Sequence, residues 1–153
     1  MHLQGRQRGI SMIEVVITLG IIAVLAGVMI PGMTSMIASQ GLKAGSSDLF
    51  STLLRARSEA IKRNADVTVA PATGGWAAGW TISNPSDSTS PLEVHGALAN
   101  TAVDGPTSVV YTGSGRLRAS SNPEFSFSAE NTEKERCVAI DLSGRPNMKQ
   151  TAC

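Results

Sequence analysis

The chain is poor in the residues from which reactive sites are most often built. Its 153 residues include two cysteines, two histidines, one tyrosine and 4% aromatics. Two cysteines, with His2 near the N-terminus and His95 alone, do not make a metal-ligand set, so no metal is expected. There is no glycine-rich phosphate loop, no Ser/His/Asp set in a recognisable context and no Cys–His pair at useful spacing. Ser58, Glu59 and Asp141 fit helix solvation and a strand end. The expectation is a non-enzyme without a cofactor. A surplus of one charge sign is missing too: 13 Lys+Arg stand against 12 Asp+Glu. That balance excludes a general basic field for nucleic acid and leaves room only for a local patch. Between Ile10 and Gln40 there is no lysine, arginine or histidine at all.

What fills that gap is apolar. Ile10–Ile30 reads ISMIEVVITLGIIAVLAGVMI. As a helix rising ~1.5 Å per residue it would extend about 30 Å, enough to cross a bilayer core. Arg6 and Arg8 precede it and favour a cytoplasmic N-terminus. The run is longer than a signal-peptide apolar region, and Pro31-Gly32 is a poor cleavage site of that kind. Hydropathy alone fits a plain single-span anchor. Glu14 does not, because a carboxylate inside a membrane helix costs on the order of 3 kcal/mol and usually has a partner. With no cation in the run, that partner must come from elsewhere. Cleavage after Gly9 would free the α-amino group of Ile10. Glu14 could then pair with the new N-terminus of a neighbouring subunit, neutralising two buried charges and setting the register between helices.

These residues resemble the N-terminus of type IV pilins and type II secretion pseudopilins: a short basic leader, Gly9 before the cut, Ile10 after it, Glu14 as fifth mature residue, and Pro31 closing the apolar stretch. Ile10 is a mild departure, since the family more often has Phe there. The resemblance implies cleavage of Gly9–Ile10 by prepilin peptidase on the cytoplasmic face and N-methylation of Ile10. Removing Arg6 and Arg8 with the leader would leave 11 basic against 12 acidic side chains.

Pro31 removes one helical hydrogen bond, and Gly20, Gly27 and Gly32 weaken the helix further. Membrane helices tolerate such residues, but the resemblance favours a helix that bends or locally melts in a fibre. Beyond Pro31 the spacing predicts a resumed helix. Leu42, Leu49, Leu53, Ala56 and Ala60, with Phe50, Leu54 and Ile61, would form its apolar face. Arg55–Glu59 and Glu59–Arg63 are expected as i,i+4 pairs, and Asn64 as the stop. The organisation expected is a leader over 1–9, a transmembrane or fibre-core helix over 10–30, its amphipathic continuation over 31–64, and a β-rich head over 65–153.

In the head, strands are expected at Val67–Ala70, Gly79–Ile82, Pro91–Val94, Ser108–Tyr111, Phe125–Ser128 and Cys137–Leu142. Residues 84–90 (NPSDSTS) read as a polar loop. Short strands without a second long helix imply an α+β fold, with the helix packed on an antiparallel sheet or sandwich. Trp76, Trp80, Phe125 and Phe127 are expected in the core. The stretches SEAIKRNADVTVAP, GGWAAGWTI and CVAIDLSGRPNMKQTAC resemble the GspH/FimT group of minor pilins and pseudopilins. The resemblance implies the type IV pilin fold.

Cys137 and Cys153, in a head exported from the cytoplasm, are expected to form a disulfide. It would close a loop worth about 3 kcal/mol in the chain-entropy model. That loop is either a staple for the C-terminus or a rigid platform presenting Gly144, Arg145, Asn147, Lys149 and Gln150. In FimT-type proteins of transformable bacteria a C-terminal Gly-Arg-x-Arg stretch is implicated in DNA binding. Here Gly144 and Arg145 match, Asn147 replaces the second Arg, and Lys149 restores a charge. Gly115-Arg116-Leu117-Arg118 has the same letters but sits mid-head, where a turn and an exposed strand also explain it. If the two elements meet in space, Arg116, Arg118, Arg145 and Lys149 would form one phosphate-binding patch.

The function expected is a minor type IV pilin. It would be held first in the inner membrane as a single-pass precursor with a periplasmic head, then incorporated into an extracellular pilus near its tip. There it would support assembly and DNA uptake. Its partners would be prepilin peptidase, other pilins and minor pilins, and double-stranded DNA. Two alternatives stand beside it: a DNA-binding receptor for natural transformation, and a GspH-type pseudopilin of type II secretion.

Overall fold

The computed structural model describes residues 9–153, without the side chains of residues 28–32. Arg6 and Arg8 therefore lie outside the described residues, as does the side chain of Pro31, on which the expected bend rests. The chain forms two compact units, Met1–Thr34 and Ser35–Cys153.

One helix, α1, runs over Met12–Arg63. In the N-terminal unit the backbone N–H groups of Glu14 and Val15 donate to the Ser11 carbonyl, starting the helix. Glu14 lies in the first turn, where the helix dipole favours an anion. Apolar side chains stand exposed on every side of this segment, among them Ile13, Val16, Leu19, Ile22 and Leu25. Among the described residues no helix is long and apolar enough to cross a membrane. The expected span Ile10–Ile30 continues into residues 28–30, whose side chains are not described.

The C-terminal unit joins the last part of α1 to eight strands: β1 (Val67–Ala72), β2 (Gly75–Ile82), β3 (Glu93–His95), β4 (Ala102–Asp104), β5 (Val109–Tyr111), β6 (Glu124–Ser128), β7 (Arg136–Ile140) and β8 (Pro146–Lys149). They form two antiparallel four-stranded sheets, ordered β3-β2-β1-β5 and β4-β6-β7-β8. This is the α+β arrangement expected.

Leu42, Leu49, Leu53, Ala56 and Ala60 face one core with Val67, Val69, Trp80 and Ile82 of the first sheet and Phe125, Phe127, Val138 and Ile140 of the second. Trp76 ties the sheets together: its ring meets Phe125 edge-on at 4.8 Å, and its Nε1 donates to the Pro106 carbonyl. Trp80 Nε1 donates to Thr52 Oγ1 on α1, so a buried indole N–H and a buried hydroxyl satisfy each other. The helix ends in a Schellman motif. Asn64 takes φ 47°, its N–H donates to the Ile61 carbonyl, and the Ala65 N–H donates to that of Ala60.

Several expectations change. Leu54 and Ile61 are exposed, because they sit at the margin of a helix face whose centre is Leu49, Leu53, Ala56 and Ala60. Arg55 pairs with Glu93 of β3 at 2.8 Å in place of Glu59; Glu59 takes Arg63 at 2.7 Å. The Arg63 hydrogen bond leads the causes that hold the Glu59 carboxyl below its usual range. Strands β4 and β8 were not expected, β2 begins four residues earlier than its apolar core suggests, and β3 excludes Pro91 and Leu92.

Candidate functional site

Two turns of one design lie against each other in the head. The first spans Thr112–Arg116: the Gly115 N–H donates to the Thr112 carbonyl, and the Thr112 N–H to the Arg116 carbonyl. The second spans Asp141–Arg145: the Gly144 N–H donates to the Asp141 carbonyl, and the Asp141 N–H to the Arg145 carbonyl. Each contains Ser-Gly-Arg, at 114–116 and 143–145. In each, the glycine has positive φ, 76° at Gly115 and 83° at Gly144, which only glycine adopts without strain. The first residue of each turn also meets the turn's serine. Thr112 Oγ1 is hydrogen-bonded to Ser114, while Asp141 accepts from Ser143 Oγ and from the Arg145 N–H. The Ser143 hydroxyl, then the backbone donors, hold the Asp141 carboxyl below the usual carboxylate range.

Arg57 of α1 fastens the two turns together. Its Nε donates to the Gly115 carbonyl at 3.0 Å and its Nη2 to the Ser143 carbonyl at 3.3 Å. Leu117 N–H donates across to the Leu142 carbonyl. Tyr111 lies fully buried beneath Gly144, and its hydroxyl has no hydrogen-bond partner among the described residues. Burial pushes the Tyr111 phenol well above its ordinary value, with nearby Arg57 acting against that shift and Asp141 with it. The phenol therefore stays neutral. Arg116 and Arg145 leave the two turns with exposed side chains.

The structure thus places the two Gly-Arg elements side by side. Arg118 is ion-paired to Asp66. Lys149 ends β8, four residues from Arg145, or about 13 Å along an extended strand. The expected presentation loop is a β-hairpin: β7 pairs with β8 from Ile140–Pro146 to Cys137–Lys149, with the Ser-Gly-Arg turn at its tip. The Cys137–Cys153 disulfide closes its open end, with Cα atoms 5.0 Å apart. Arg57 and Tyr111 carried no motif and were missed. The repeated Ser-Gly-Arg was the available signal.

At the other candidate site, Gly9 and Ile10 are exposed and Glu14 takes part in none of the ion pairs among the described residues. Those residues hold no cluster suited to a metal.

A long N-terminal helix carrying antiparallel sheets on its C-terminal half is the fold of type IV pilins, and this protein has the pilin-like fold. More narrowly, the chain belongs to the family described as type II transport protein GspH, whose model matches residues 46–144. The prokaryotic N-terminal methylation motif matches residues 4–30. Two crystal structures of the type IV minor pilin FimU from Pseudomonas aeruginosa share the fold at 21% identity. One, in space group P65, aligns with a TM-score of 0.61 over 71% of this chain and 92% of FimU. The other, in P21, aligns with a TM-score of 0.63 over 72% and 90%. No curated protein sequence matches the chain.

Proposed function

We propose that the chain is a minor pilin. Prepilin peptidase cleaves Gly9–Ile10 and methylates Ile10. The apolar run holds the subunit in the inner membrane with its head in the periplasm, and assembly then draws the helix into a pilus, near the tip. The observation that carries this reading is Glu14: an acidic group in the first turn of an apolar helix, inside a matched methylation motif, without an ion-pair partner among the described residues. The free amine of Ile10 on a neighbouring subunit supplies that partner. Glu14→Ala should leave processing intact and reduce incorporation into fibres. Normal incorporation of that variant, measured by immunoblot of sheared fibres, would remove the electrostatic part of the reading.

A second reading, a DNA receptor for transformation, is supported by the stacked Ser-Gly-Arg turns. Arg116 and Arg145 leave adjacent turns, and two such cations suit phosphates without regard to base sequence. The test is an electrophoretic shift with the head from Ser35 onward at two salt concentrations. A shift that weakens with salt and is lost in Arg116→Ala/Arg145→Ala is expected, and no shift at low salt would count against it. A third reading, a secretion pseudopilin, is supported by the family description itself. Neighbouring genes, pilus or secretion, separate it from the first.

A further inference from the structure

Away from both sites, a set of charged side chains joins the first sheet to the helix. β3 is an edge strand of three residues that pairs with β2 alone. Side chains alternate along a strand, so Val94 points to solvent and is 66% exposed, while Glu93 and His95 turn toward α1. Asp48, Thr52 and Arg55 meet them from one stripe of that helix. The charges are crossed. Arg55 of the helix pairs with Glu93 of the strand at 2.8 Å, and His95 Nε2 of the strand lies 3.4 Å from Asp48 Oδ2 of the helix. Between them Thr52 Oγ1 donates to Glu93 Oε1 at 3.0 Å. The His95 ring also stacks on its cross-strand neighbour Trp80, with centroids 4.0 Å apart and planes 8° from parallel. Trp80 beneath it is fully buried.

The imidazole sits between two oxygens that can only accept. Its Nδ1 is 2.8 Å from the Gly96 carbonyl oxygen, and its Nε2 faces the Asp48 carboxylate. A neutral ring has one N–H, so in either tautomer a nitrogen lone pair would face an oxygen lone pair. The imidazolium, with two N–H groups, satisfies both. Its charge then also lies over the indole face of Trp80, which attracts a cation. We propose that His95 is a proton-operated clasp for β3. With both ring nitrogens protonated it holds the edge strand against α1. When Nε2 gives up its proton to solvent, through a cleft of about 320 Å³ beside the ring, the strand loosens and the β2 edge and Trp80 become accessible. The groups facing His95 are Asp48 and Arg55 from α1 and Glu93 from β3 itself; β2 presents no titratable side chain. Arg55 opposes the imidazolium but is already held by Glu93, whereas the one ion pair of Asp48 among the described residues is with His95. The sign follows from that anion. A histidine with an anionic partner in the fold contributes stability that is full below its ordinary titration range, about pH 6.5, and is lost as pH rises through and above it.

The test is hydrogen exchange of the full-length chain in a neutral detergent, read by mass spectrometry at about pH 5.5 and about pH 8 and corrected for intrinsic exchange. His2 and His95 are the chain's two histidines, so His95 is the one side chain of the head that ordinarily titrates in that window. Protection of the β3 amides should fall about fivefold from the lower pH to the higher, the weight of a partly exposed ion pair with a cation–π contact. The β1 amides should keep theirs. His95→Gln should abolish the difference. Asp48→Asn, whose amide can donate to a neutral Nε2, should shrink it to less than about twofold. Tryptophan fluorescence, which a stacked imidazolium quenches, should rise over the same range in the wild type and stay level in His95→Gln. Equal protection of β3 at both pH values in the wild type, a difference that survives in His95→Gln, or one of undiminished size in Asp48→Asn would overturn the proposal. A loss in β1 that matches the loss in β3 would overturn it too, since the clasp acts on the edge strand alone.

Discussion

Gly144 lies so close to the backbone of Gly115 that a β-carbon at position 144 would come within 2.1 Å of the Gly115 carbonyl oxygen. Two hairpin turns from distant parts of the chain are thereby packed backbone to backbone. The glycine of Ser143-Gly144-Arg145 has two tasks, the left-handed conformation and the close approach. Gly144→Ala fails at both, and should destabilise the head by about 2 kcal/mol or more. Thermal unfolding of the head from Ser35 onward checks this; a melting temperature equal to wild type would contradict the packing.

Arg57 should matter through its shape as well as its charge. A guanidinium reaches two carbonyls from fixed directions, and a lysine cannot reproduce that fork. Arg57→Ala and Arg57→Lys are both expected to lower stability by about 1–3 kcal/mol, since the first frees the Gly115 and Ser143 carbonyls and the second can serve only one of them. Urea denaturation measures it. Full stability in Arg57→Lys would mean that charge alone suffices.

The disulfide closes the open end of the β7–β8 hairpin, away from the Ser-Gly-Arg tip. Cys153→Ser should therefore cost about 3 kcal/mol, the chain-entropy value for a loop of this length. Reductant should lower the wild-type melting temperature and leave that of Cys153→Ser unchanged. Insensitivity of the wild type to reductant would contradict this.

Asp141 adds a pH dependence with a defined sign. The Ser143 hydroxyl, and after it backbone N–H donors, hold its carboxyl below the usual carboxylate range in the folded state. A depressed carboxyl contributes stability above its unfolded pKa and loses it as pH falls through the folded value. The difference between wild type and Asp141→Asn should be full at neutral pH and shrink below about pH 4. Stability curves across pH 2–7 are the check. A difference that grows on acidification would reverse the assignment.

The sequence disclosed the helix well because its signals are local. Asn64 ends α1 in the left-handed conformation its side chain tolerates, and the spacing of Leu42, Leu49, Leu53, Ala56 and Ala60 follows one face. Leu54 and Ile61 misled because helical spacing says which residues share a face, not how wide the covered stripe is. Ile61 instead lies beside Gly115, where its Cδ1 would be 2.6 Å from an added β-carbon. β8 was hidden by Pro146, which a strand accepts at its first residue. Arg55 found Glu93 rather than Glu59 because a long-range acceptor on β3 outcompeted a solvated neighbour one turn away. The stacking of the two turns and the role of Arg57 depend on contacts 58 and 86 residues apart, which no local pattern reveals.

The most direct test of the central claim is mass spectrometry of the chain recovered from sheared surface fibres. The account predicts a polypeptide that starts at N-methylated Ile10, in fibres of cells that also retain an unprocessed membrane pool. A chain that keeps Met1–Gly9, or one cleaved and methylated but confined to the cell envelope, would contradict assignment as a minor pilin.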